Sequence, residues 1–205
     1  MRRTKEQAAR TRADILAAAH NLFAEKGFEH TSLEAVAEAA GVTRGAVYWY
    51  FANKAAILDA ILERECAPIE DLVSAISDES IDAPLQALAR VTSETFGRIE
   101  RDDHKRCIYA IFRQMSGPGV DGARQGPDLS GHARQFRRQL ETVFAYAQRL
   151  GQLNPSWTPE LAALGFNAMV TGMLEEWSQE AGAFDIGARG ARVVALFLDH
   201  LGATD

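Results

Sequence analysis

The stretch "TSLEAVAEAAGVTRGAVYWYFANK", residues 31–54, carries two short helical patterns on either side of Gly41-Val42. Leu33, Val36 and Ala37 recur at helical spacing before the glycine, and Val47 and Phe51 after it. A helix-turn-helix needs a tight turn, often with a glycine, and a small residue where the helices cross. Gly41 supplies the turn and Ala37 the small residue. Thr31 or Ser32 caps the first helix, and Thr43 caps the second.

The aromatic run 48–51 cannot lie wholly inward, because adjacent helical residues diverge. Val47 and Phe51 share one face, Arg44 and Tyr48 another. This predicts an inward Val47 and Phe51 and an outward reading edge of Thr43, Arg44 and Gly45. Arg44 can pair bidentately with guanine O6/N7. Thr43 can offer its hydroxyl to a phosphate at a helix N-terminus. Gly45 lets the backbone approach the bases. Tyr48 and Tyr50 suit phosphate oxygens, and Lys54 adds a phosphate contact from the next helix. Thr31, Ser32 and a flanking Trp49 complete the expected DNA-facing set. No acid lies three or four residues from Arg44 in its own helix, so this reading leaves Arg44 without an ion pair.

Charge supports a DNA-facing head. The 205-residue chain has a net charge of −6. Residues 1–55 nevertheless hold eight Lys/Arg against six Asp/Glu, net +2, which leaves −8 for the remainder. A basic head on an acidic body places the polyanion contact on the head alone. The basic start "MRRTKEQAARTR" reads either as a plain solvated tail or as an arm reaching phosphates or the minor groove. It lacks the apolar region of a secretory leader, and no apolar run reaches a membrane span. With only Cys66 and Cys107, a disulfide framework is excluded. A cytoplasmic protein without a membrane partner is expected.

Helical periodicity continues throughout, so the expected fold is all-α with nine helices. They fall at 5–27, 32–40, 43–51, 54–77, 82–101, 103–115, 128–151, 158–182 and 185–201. A Gly/Pro-rich loop, "SGPGVDGARQGP", spans 116–127. The expected domains are 1–53, a helix-turn-helix DNA-binding domain, and 54–205, a second helical domain.

Residues 31–58 closely resemble the DNA-binding segment of TetR-family repressors. Together with "RRTKEQAARTRADILAAA", they look most like the branch governing multidrug efflux operons, typified by the AcrR and TtgR repressors. A fainter likeness extends to "GQLNPSWTPELAALGFNAMVTGMLEEW" and "FDI". The resemblance implies a repressor that binds a palindromic operator in double-stranded DNA as a homodimer, with one or two dimers per operator. It also implies that 54–205 is a ligand-binding and dimerisation domain, and that a small hydrophobic inducer bound there releases the repressor. A regulator of a catabolic or other non-efflux operon fits the same head. A ligand-independent architectural DNA-binding protein is the reading from another class.

The apolar stripes are core first, and by the resemblance they also offer a pocket lining. Helix 54–77 contributes Leu62, Cys66 and Ile69. Helix 82–101 contributes Val91, Thr92, Thr95 and Phe96. Leu140 comes from helix 128–151, Leu174 and Trp177 from helix 158–182, and Ile108 and Phe112 from helix 103–115. By the resemblance, polar ligand contacts fall on Tyr109 and Arg113, and further contacts on Asn167, Val170, Thr171 and Glu175. Tyr109, Arg113, Asn167 and Thr171 depart from the residue types of the branch. The place of the pocket therefore carries over, and the identity of the ligand does not. Helices 158–182 and 185–201 are expected to form the homodimer. The former offers Leu161, Gly165, Met169 and Gly172, and the latter Val193, Val194, Leu196, Phe197 and Leu201.

No catalytic constellation appears. GxSxG, P-loop and GxGxxG motifs are absent. The five histidines are scattered, with neither HxxxH nor CxxC. A non-enzyme without cofactor or metal is the expectation.

Overall fold

A computed structural model of the chain describes residues 5–102, 106, 111, 129–179 and 184–203. The expected all-α class holds. Among the described residues there are eight α-helices and one π-helical segment, with no strand and only an isolated Leu153–Gly202 bridge. The helices are α1 (Lys5–Lys26), α2 (Leu33–Ala39), α3 (Arg44–Tyr50), α4 (Lys54–Ser77), α5 (Pro84–Arg101), α6 (Leu129–Arg149), α7 (Pro159–Gln179) and α8 (Ala191–Leu201). The expected helix 103–115 and the loop after it fall outside the described residues, apart from helical Arg106 and Ile111. No helix of the described residues is long and apolar enough to cross a membrane.

The chain divides into two compact units: Met1–Glu65 with Asp103–Leu129, and Cys66–Asp102 with Ser130–Asp205. The first unit thus reaches past the expected boundary at 53/54 into α4. Its core joins Ile15, Ala19 and Phe23 of α1 to Val36 of α2, Val47 of α3 and Ile57, Leu58 and Ile61 of α4. Ile111 packs against this cluster.

Capping chemistry sets the turns. α1 stops at Gly27, whose φ of +81° suits a residue without Cβ. Ser32 caps α2 by accepting a hydrogen bond from the Ala35 amide at 3.1 Å. α2 then closes in a Schellman turn. The Gly41 amide donates to Glu38 and the Val42 amide to Ala37, with Gly41 at φ +66°. α4 closes the same way, but its left-handed position is Glu79, at φ +52°. Pro68 lies inside α4 and lacks the N–H that would donate one turn back, yet the helix continues through it.

The second unit is centred on Phe96, Leu140, Phe144, Phe166, Ile186 and Leu198, all buried. Pro159 starts α7 at its first position. The expected helix from Asp185 differs in its first turn. Residues Ile186–Gly190 are π-helical, and the α-helix begins at Ala191. Asp185 is still the cap, its carboxylate accepting from the Ala188 amide at 2.6 Å. The π turn lies where α5 comes close. A Cβ on Gly190 would meet the Phe96 ring at 3.1 Å, and Gly187 leaves no room for one beside the Glu100 carboxylate.

Candidate functional site

The exposed end of α3 concentrates the expected DNA-facing residues. Thr43 is the N-cap, accepting from the Ala46 amide at 3.2 Å, which leaves its hydroxyl proton for another acceptor. Arg44 and Gly45 follow, both exposed, and the position of a Cβ on Gly45 is open apart from the Thr43 hydroxyl at 4.0 Å. Behind them Val47 and Phe51 are buried in the head core. Tyr48 is exposed on Arg44's face, as the spacing requires. Trp49 is 74% exposed and stands edge-on to Tyr50, with ring centroids 4.6 Å apart.

Four expectations change. Arg44 is ion-paired: its Nη1 lies 2.8 Å from Glu34 Oε1 on α2. The partner comes from across the turn, which spacing within one helix cannot reveal. Arg44 Nη2 also donates to the Tyr48 hydroxyl at 3.3 Å. First that hydroxyl, then the Glu34 carboxylate, holds the guanidinium pKa above its ordinary value. Thr31 is buried rather than DNA-facing, its hydroxyl directed at the Gly27 and Leu22 carbonyls at 2.8 and 3.3 Å. Lys54 turns inward, where its Nζ donates to the Phe28 and Glu29 carbonyls at 2.5 and 3.2 Å and sits 4.5 Å from the Phe28 ring centroid. Tyr50, expected to face phosphates, is half-buried against the head core. Ser32 remains exposed, with its hydroxyl engaged in capping α2.

Residues 15–61 match the family described as bacterial regulatory proteins, tetR family. The HTH-type transcriptional repressor BepR of Brucella suis biovar 1 is 30% identical over 207 residues, which covers 99% of this chain and 97% of BepR. The chain belongs to the TetR family. Among solved structures, NalD, the secondary repressor of the MexAB-OprM multidrug efflux pump in Pseudomonas aeruginosa, is 32% identical with a TM-score of 0.71, covering 98% of this chain and 100% of NalD. The SmeT–triclosan complex is 29% identical with a TM-score of 0.77, covering 96% of this chain and 93% of SmeT, the repressor of the Stenotrophomonas maltophilia pump SmeDEF. These relatives are transcriptional regulators. The segment matched to the TetR family holds the Thr43–Arg44–Gly45 edge and the buried Val47 and Phe51 behind it.

The expected ligand residues of this TetR-family chain are dispersed. Leu62 packs in the head core, a correction that follows from its place on the first half of α4. Thr92 is buried and Thr95 half-buried, and their hydroxyls donate to the Leu88 and Val91 carbonyls of α5 itself, each at 2.8 Å. Ile69, Phe96 and Leu140 are buried, while Val91 is half-buried. Along α7, Val170, Leu174 and Trp177 form a buried stripe. Asn167, Thr171 and Glu175, four residues apart in turn, form a half-buried polar stripe beside it. Ile108, Tyr109, Phe112 and Arg113 lie outside the described residues, as does the side chain of Cys66. Among the described residues no group of three or more His, Cys, Asp or Glu could hold a metal ion.

The expected dimer residues separate into two faces. Val194 and Leu201 are fully buried in the second unit's core and cannot serve an outer surface. Val193 and Leu196 lie on the opposite side of α8 and are exposed. Leu161 is exposed on α7, together with Leu164 one turn on, a residue that the i, i+3 spacing from Leu161 could have marked. Gly172 is exposed, with open space above it, and Met169 is half-buried. Gly165 instead seats the chain's own Phe197, whose Cζ lies 3.2 Å from where a Cβ would stand.

Proposed function

We propose that the chain is a ligand-responsive, non-enzymatic repressor acting in the cytoplasm, bound as a homodimer to a palindromic operator and released by a small hydrophobic inducer. Residues 1–53 act as the DNA-binding domain and 54–205 as the ligand-binding and dimerisation domain. The observation that carries this reading is the exposed Thr43–Arg44–Gly45 edge at the N-terminus of α3, fixed from behind by buried Val47 and Phe51. Recognition helices enter the major groove by such N-terminal residues, and a dimer places two of them about 34–36 Å apart. The exposed apolar residues Leu161, Leu164, Val193 and Leu196 support pairing through α7 and α8. The whole-length likeness to NalD and SmeT supports control of a multidrug efflux operon.

The polar stripe Asn167, Thr171 and Glu175 is suited to the polar end of an inducer, and Val170, Leu174 and Trp177 to its apolar body. Because α4 contributes residues to both compact units, a ligand that favours a different course of α4 changes the spacing of the two recognition helices. Coupling of this kind changes DNA affinity about 5- to 150-fold.

The test begins with a duplex selected by the protein from a randomised pool. Gel shift should show sequence-specific binding. Triclosan, held by SmeT in its solved complex, should weaken it. Triclosan binding with unchanged affinity for the selected duplex counts against the inducer mechanism. Failure to select any duplex counts against the repressor reading itself.

A further inference from the structure

The outer surface of the head carries a carboxylate beside its principal cation. Glu34 stands in the first turn of α2, and its Oε1 lies 2.8 Å from Arg44 Nη1. Arg44 Nη2 donates to the Tyr48 hydroxyl, with Cζ 5.3 Å from the Tyr48 ring centroid. The guanidinium is thereby held from two helices.

Stability does not account for the pair, since the two side chains are 61% and 53% exposed and exposed ion pairs contribute little to folding. The helix field accounts for only half of it: an acid is favoured in the first turn of α2, but Arg44 is the first residue of α3, where a cation is disfavoured.

We propose that Glu34 is a positioning residue that determines specificity: it orients Arg44 for guanine and removes the net charge that would otherwise draw Arg44 to any phosphate. This inference rests on the DNA-binding reading above. A guanidinium has five N–H donors. Glu34 and Tyr48 engage one each, so donors remain for guanine O6 and N7. Hydrogen-bond readout survives the pairing. Sequence-independent attraction does not, because the Glu34–Arg44 pair is close to neutral and its carboxylate repels the DNA backbone.

The experiment compares wild type, Glu34→Gln and Glu34→Asp on two duplexes: the one selected by wild type and a scrambled duplex of the same composition. Glu34→Gln keeps an oxygen that accepts from Arg44 but deletes the charge. Its affinity for the scrambled duplex should rise about threefold or more, and its salt slope there should steepen by about 0.9, the value of one additional phosphate contact. Its preference for the selected duplex should fall correspondingly. Glu34→Asp keeps the charge and should follow wild type on the scrambled duplex.

If Glu34→Gln matches wild type in salt slope and preference while wild type still discriminates, the inference is overturned and the DNA-binding reading stands. A changed melting temperature with an unchanged salt slope likewise overturns it, leaving Glu34 a purely structural role. If wild type selects no duplex, the DNA-binding reading falls and this inference with it.

Discussion

The edge of the Phe197 ring rests on Gly165: a Cβ on that glycine would stand 3.2 Å from Phe197 Cζ and 3.9 Å from Trp157 Cζ3. The glycine's role is thus to let α7 and α8 meet within one chain. Gly165→Val should displace Phe197 and destabilise the protein by about 1–3 kcal/mol, an ordinary overpacking cost. Urea denaturation followed by tryptophan fluorescence measures it, and an unchanged midpoint would show that Phe197 can move aside.

Leu164 and Leu196 are both about half exposed, and neither has a role in the chain's own core. Leu164→Glu with Leu196→Glu should give monomers in sedimentation while leaving helix content intact. Loss of simultaneous half-site engagement should weaken binding to the selected duplex on the order of 100-fold or more. A dimeric double variant would place the interface elsewhere.

Arg44 and Lys54 should behave oppositely on substitution. Arg44→Ala deletes the base-reading donor and should reduce preference for the selected duplex about tenfold or more per half-site. Lys54→Met instead deletes the hydrogen bonds to the Phe28 and Glu29 carbonyls that join α4 to the loop after α1. It should destabilise the head by about 1–2 kcal/mol. The salt slope of DNA binding should stay the same. A reduced slope would return Lys54 to the phosphate-contacting set.

Buried Thr31 offers a parallel case. Thr31→Val leaves the volume nearly unchanged but removes the hydroxyl that serves the Gly27 and Leu22 carbonyls. Thermal unfolding should register a loss of about 1–2 kcal/mol. The folded variant should bind the selected duplex as wild type does.

Glu79 holds a left-handed backbone at φ +52° where α4 ends. Glu79→Gly should stabilise the protein by about 0.5–1 kcal/mol, because the relief of Cβ crowding exceeds the added freedom of the unfolded chain. A lower melting temperature would show that the exposed Glu79–Arg149 contact, at 3.5 Å, matters more than the backbone.

Most of the described helices, their caps and the helix-turn-helix were legible from residues 31–54 outward because they depend on neighbours three or four positions apart. Ser32, Gly41, Thr43, Pro159 and Asp185 act where the local rules place them. The inward turn of Val47 and Phe51 follows from the same periodicity. What only the tertiary structure decided is which distant group each side chain meets. Lys54 finds a carbonyl 26 residues away, and Arg44 finds Glu34 across a turn. Of adjacent Val193 and Val194 only Val194 is buried, because the second unit's core lies on one side of α8. Periodicity shows that a helix has an apolar face. The packing of the other helices determines which part of that face is core and which is left exposed.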